Sequence, residues 1–129
     1  MFRKRPPAVS ATGPGAGRPA TAQRRWVRAP VDLAVRYTLA GSPEPHAGRI
    51  DNLSGGGVRL ETNEDIAAGT AVELAFEVAG APVACSARIV MSLFESTRKR
   101  FLHGVAFTAI EPAAQETIVR HVAVLQRAE

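Results

Sequence analysis

Two short stretches hold the side chains with chemistry to offer. The first is Gln23 to Arg28, QRRWVR, in which Arg24 and Arg28 stand four apart with Arg25 and Trp26 between them. The second is Asn52 to Gly57, NLSGGG, where Asn52, Ser54 and Gly57 are spaced by two and then three residues. A guanidinium is a rigid planar fork that bonds bidentately to phosphate oxygens or to the O6/N7 edge of guanine, and its flat face stacks on a base. Two arginines at i, i+4 repel one another on a helix, so the isolated chain has nothing to hold them together and a bound dianion would supply it. Asn52 and Ser54 share a face if that stretch is extended. The three consecutive glycines that follow permit positive φ and leave no Cβ in the way of an approaching ligand. A plainer reading stands beside this one. Asn and Ser bond the main chain of their own turns, and an Arg pair arises readily in an arginine-rich tail. Neither stretch decides the matter alone.

The elements that must position these residues are strands. Val31, Leu33, Val35 and Tyr37 alternate with Asp32, Ala34 and Arg36, the period of a half-buried strand. Gly41 to His46 is turn chemistry. Ala47 to Asn52 and Val58 to Thr62 then flank the glycine turn, and Asp51, adjacent to Asn52, should point to the opposite face. Val72, Leu74, Phe76 and Val78 form another inward row, and after Gly80 to Pro82 so do Val83, Cys85, Ala87, Ile89, Met91 and Leu93. Beyond a charged loop, Ser96 to Arg100, the last row is Phe101, His103, Val105 and Phe107. Six strands with short connections predict a small antiparallel barrel, which leaves no exposed edge to invite aggregation. From Pro112 the period becomes helical, with Glu116 near the positive end of the dipole and Ile118, Val122 and Leu125 in one stripe. That pattern predicts one C-terminal helix over 112–127, packed on the barrel.

Composition narrows the field. The chain of 129 residues can bury one core, and its division is a basic, Pro-rich tail over 1–22 followed by a domain over 23–129. The tail carries four of nine prolines and few large apolar residues, so it is expected to be disordered. Residues 1–28 hold seven of the 16 basic side chains and none of the 12 acidic ones, which leaves 29–129 with a net charge of −3. A long polyanion finds little to attract it on such a domain, and with aromatics at 5% there are few stacking platforms for single-stranded nucleic acid. No apolar run approaches the roughly 20 residues that cross a bilayer, and the N-terminus lacks the apolar core of a secretory signal, so a cytoplasmic protein is expected. Cys85 is the single cysteine, which excludes an internal disulfide and leaves it a small core residue. His46, His103 and His121 are far apart, His103 on the apolar parity of its strand, and no metal site is expected. No nucleophile, base and orienting group come together, so an enzyme is not expected either.

Taken jointly, Arg24-x-x-x-Arg28 ahead of the first strand and Asn52-x-Ser54-x-x-Gly57 at the turn between the next two resemble the two signature motifs of PilZ domains. RAPVDLAVRY after the arginines, SGGGVRLET at the turn and HGVAFTAI on the last strand extend the resemblance from Gln23 to the C-terminal helix. It implies a six-stranded β-barrel with a C-terminal helix that binds the second messenger cyclic di-GMP, a receptor without catalytic activity that relays to a downstream protein. By that similarity Arg24, Arg28 and the intervening Arg25 would meet phosphates and guanine, and Asn52, Ser54 and the main chain at Gly57 the other side of the nucleotide. The family allows Asp or Asn at the first position of the second motif. Asn52 offers a guanine edge one acceptor oxygen and no charge, where a carboxylate would offer a charged fork. The alternative within the same family is a diverged adaptor that binds a protein and no nucleotide. Trp26 has two open roles, stacking on a base or packing on the barrel rim, and Gln23 is where a second nucleotide would be favoured or refused.

Overall fold

The computed structural model describes residues 26–127. Six strands run in order: β1 (Arg28–Leu39), β2 (His46–Ser54), β3 (Gly57–Thr62), β4 (Ala71–Val78), β5 (Ala81–Glu95) and β6 (Arg100–Ile110), followed by helix α1 (Pro112–Arg127). They close into a barrel in the order β1-β2-β3-β6-β5-β4, every neighbouring pair antiparallel. The expected six-stranded barrel with one C-terminal helix is therefore the architecture observed. The tail over 1–22 lies outside the described residues.

Period-two patterning explains most of the interior. Val35 and Tyr37 of β1, Val58 and Leu60 of β3, Val72, Leu74, Phe76 and Val78 of β4 and Val83, Cys85, Ala87 and Ile89 of β5 are all buried. Helix α1 adds Ile118 and Val122 to the same core, with Leu125 packed against it. Glu116 sits one turn further in than a dipole partner should, since the first turn has no acidic residue, and it pairs instead with Arg120 at 2.8 Å. Burial raises the Cys85 thiol to about 12, so it is inert near neutrality.

The ladders shift register at four places, between Pro30 and Leu33 of β1, at Asp51 of β2, and at two points of the β5–β6 pair, Ser86/Ala87 and Ile89/Met91; the shifts at Asp51 and beyond Ile89 shape the groove. On β2, Ile50 pairs with Leu60 and Asn52 with Arg59, so Asp51 is an extra residue in the ladder. Ile50 and Leu53 both face inward, three residues apart, and Asp51 and Asn52 are both left outside the core. The expectation that Asp51 and Asn52 lie on opposite faces fails here, because a bulge cancels one alternation. On β5, Ile89 pairs with Val105 and Met91 with Gly104, which makes Val90 the extra residue. The inward row thus ends at Ile89. Met91 and Leu93, expected inside, are 52% and 54% exposed, and Ser92 turns in instead.

Ser92 turns in to meet His103, which has no solvent exposure. The ring lies between two hydroxyls, with Nε2 2.9 Å from Thr62 Oγ1 and Nδ1 2.7 Å from Ser92 Oγ. Each hydroxyl is also within reach of a backbone carbonyl, Thr62 of that of Glu64 and Ser92 of that of Ile66; the neutral ring donates to one hydroxyl and accepts from the other, whose proton then goes to the ring and not to its carbonyl. This is the satisfied core histidine that its strand parity implied. Burial holds its pKa below the ordinary 6.5.

A histidine of depressed pKa is neutral in the fold and protonates more readily once unfolded, so its contribution is complete above pH 6.5 and is lost as pH falls below that value. Thermal melts from pH 7.5 to 5 should show a loss of stability in wild type that is smaller in His103→Gln. The β4–β5 turn gives a second expectation. Ala79 and Gly80 both take positive φ, 53° and 84°, the geometry of a two-residue hairpin loop that favours Asn-Gly. Ala79→Asn should stabilise the domain by about 0.5–1 kcal/mol, read as a higher denaturation midpoint.

Candidate functional site

The first strand pairs with the second so that Arg28 faces Ser54, Ala29 faces Leu53 and Pro30 faces Asn52. Ala29 and Leu53 are buried, at 1% and 0% exposure, and their neighbours are turned to the outside. Arg28, Asn52 and Ser54 consequently share the outer wall of the barrel, at the end where the arginine segment enters. They line one groove of about 350 Å³ together with the main chain of Gly56 and Gly57, Arg59, and an apolar wall that includes Met91 and Leu93. The bulge at Asp51 delivers Asn52 to the polar side of this groove, and the bulge at Val90 delivers Met91 and Leu93 to the apolar side. The groove thus has an apolar side and a polar side with two guanidinium groups, of which Arg59 is paired with Asp51.

Of the residues singled out from the sequence, Arg28, Asn52, Ser54 and Gly57 are among those described. Arg28 is exposed at the mouth of the groove, and no acidic side chain among the described residues pairs with it. Arg24 and Arg25 lie outside the described residues. Asn52 is half-buried, and its amide is free of hydrogen bonds to other described residues. Ser54 is 4% exposed and its hydroxyl serves the turn: Oγ accepts from the amides of Gly56 and Gly57 and donates to the carbonyl of Gly57, each at 3.2 Å. The plainer reading of Ser54 as a turn former therefore describes what its hydroxyl does here, while the residue still borders the groove.

Gly57 is required for a different reason than the expected one. None of Gly55, Gly56 and Gly57 takes positive φ. A Cβ at Gly57 would strike the backbone carbonyl of Val105, with the carbonyl carbon at 3.1 Å. Close packing of β3 on β6 excludes any side chain there, whether or not a ligand is bound. Trp26 takes the rim role of its two: its indole lies on the main chain of Gly55 and Gly56.

The sequence reading missed three contributors. Arg59 reaches the groove from the outward parity of β3 and is held by Asp51, with Nε 2.7 Å from Oδ1. Its alternation between Val58 and Leu60 was the available signal. The other two are Gln115 and Gln126 of α1. Gln115 Nε2 donates to the carbonyl of Gly55 at 2.9 Å, and Gln126 Nε2 to the carbonyl of Arg28 at 2.6 Å. Eleven residues make three helical turns, so the two amides project from one face, and a single helix fastens the main chain of both motifs.

A family model described as PilZ domain matches residues 22–124. Among solved structures, the Bacillus subtilis inhibitor of motility MotI/DgrA superposes with a TM-score of 0.73 at 15% identity, over 82% of this chain and 52% of that one. The PilZ domain of YcgR from Escherichia coli, solved with c-di-GMP, gives 0.56 at 14% identity over 82% of this chain and 93% of that one. The MrkH–c-di-GMP complex of K. pneumonia gives 0.64 at 14% identity over 81% and 52%. The chain spans about half the length of the first and last of these. A search of curated protein sequences gave no match.

Replacing Gly57 with Ala forces the β3–β6 backbones apart, an overpacking cost of about 1–3 kcal/mol. A chemical melt of Gly57→Ala should show that loss with no nucleotide present, which separates the packing role of this glycine from any ligand contact.

Proposed function

The chain is a member of the PilZ domain family, and from that premise we propose that it is a receptor for cyclic di-GMP, with no catalytic activity, that acts in the cytoplasm and passes the signal to a partner protein. The observation that carries this reading is the pairing of Arg28 with Ser54 and of Pro30 with Asn52, which brings the end of the arginine motif to the edge of the groove that Asn52 and Ser54 border. Two structural neighbours are described as c-di-GMP complexes, which supports the choice of ligand. Arg24, Arg25 and Arg28 bond the phosphates and a guanine edge, Asn52 accepts from the other guanine edge, Ser54 holds the turn in shape, and Gly57 contributes main chain. The segment that carries the arginines folds across the nucleotide, and that ordering is the signal the partner reads. Among the described residues no helix is long and apolar enough to cross a membrane.

A second reading has an observation of its own. Val90, Met91, Leu93 and Phe94 stand half exposed in succession along β5, a surface that suits a protein contact, and an adaptor without a nucleotide would use it. Calorimetry separates the two. Wild type should bind cyclic di-GMP saturably, and Arg28→Ala, which loses a charge-assisted contact worth roughly 1.5–3 kcal/mol, should bind tenfold or more weakly. Equal affinities would remove Arg28 from the site, and absence of saturable binding by wild type would select the adaptor.

A further inference from the structure

Trp26 is the only tryptophan in the chain and stands inside the arginine motif, two residues before Arg28. Its indole is seated where two side chains are missing. A Cβ built at Gly56 would come within 2.5 Å of the indole Cδ1 and 2.9 Å of Nε1, and one at Gly55 within 2.8 Å of both the ring Cζ3 and Val119 Cγ2 of α1. The turn's own dihedrals make no demand for glycine, since neither residue has positive φ. What demands it is the ring. The main chain on both sides of this contact is tied to α1, Gly55 through Gln115 and Arg28 through Gln126. Arg28 and Gly56, on either side of the ring, line the groove, and the ring itself does not.

We propose that Trp26 is a positioning residue, an anchor in the saddle of Gly55 and Gly56 that fixes Arg28 beside Asn52 and Ser54 and leaves the part of the arginine segment ahead of it to order around the nucleotide. Two of the three consecutive glycines then serve the protein's own indole. The geometric argument is one of reach. Arg28 follows Trp26 by two residues, so with the ring fixed the guanidinium has little backbone freedom left to lose on binding, whereas with the ring released the start of β1 frays and that cost returns. The effect on affinity rests on the receptor reading above; the seating of the ring is a property of the protein without ligand.

Because the chain has one tryptophan, its fluorescence reports this contact alone. In the full chain without nucleotide, acrylamide should quench wild-type Trp26 less than it does in concentrated guanidinium. Gly56→Ala should raise quenching towards the unfolded value, and Val119→Ser should raise it partway, both with the far-ultraviolet circular dichroism of the barrel retained. Wild-type quenching equal to that of the unfolded chain, or no change in either variant, overturns the proposal. In titrations with cyclic di-GMP, Trp26→Ala should bind about tenfold more weakly than wild type at an unchanged melting temperature, Trp26→Phe should recover most of the loss, and Trp26→Ala combined with Gly56→Ala should add little to it. Wild-type affinity in Trp26→Ala also overturns it. Failure of wild type itself to bind refutes the receptor reading, and the quenching result then decides the anchor by itself.

Discussion

Two extra residues, Asp51 and Val90, set the two sides of the groove on this barrel. A strand reverses its faces every residue, so a single insertion turns everything beyond it inside out. On β2 the insertion at Asp51 lets Ile50 and Leu53 both fill the core and hands Asn52 to the surface. On β5 the insertion at Val90 ends the inward row at Ile89, turns Ser92 to the buried His103, and moves Met91 and Leu93 outside. The groove lies between these two irregular strands, with β3 and β6 as its floor. Its polar and apolar sides are consequences of register as much as of composition. Strict alternation would have placed Asn52 under Ile50, in the core.

Charge follows the same geography. Residues 29–129 carry a net charge of −3, yet the groove presents Arg28 and Arg59. Arg59 is spoken for, because Asp51 holds it at 2.7 Å, and the same bulge that exposes Asn52 also aims Asp51 at that guanidinium. Nearby, Glu61 is 7% exposed and receives Arg98 at 3.7 Å and Arg100 at 3.4 Å. Beside the groove the wall is therefore internally neutralised, and Arg28 is the cation that stands apart from the described carboxylates.

Much of this was legible in the sequence because the patterns were local. Val31 to Tyr37, Val72 to Val78 and Val83 to Ile89 alternate as strands should, and Pro112 with Ile118 and Val122 marks the helix. The two motifs were legible as a pair, and the β1–β2 register brings Arg28 and Asn52 to one groove. The misplacement of Met91 and Leu93 and the wrong facing of Asp51 share one cause. A bulge has no signature in alternation; it is set by the partner strand, here Leu60 with Arg59 and Val105 with Gly104. Gly57 is the opposite case: a glycine in a string says only that something comes close, and here the Val105 carbonyl does. Gln115 and Gln126 were hidden among ordinary helix formers, and nothing local says that their amides reach Gly55 and Arg28, 60 and 98 residues back along the chain.

Those two glutamines have a temporal side. Helix α1 follows all six strands, so both amides belong to the last element that the chain supplies. Until that helix docks, the main chain at Gly55 and at Arg28 lacks the two side-chain bonds that fasten it. Any cut that frees the segment beyond Ile110 would release both bonds and also uncover the part of the core that Ile118 and Val122 fill.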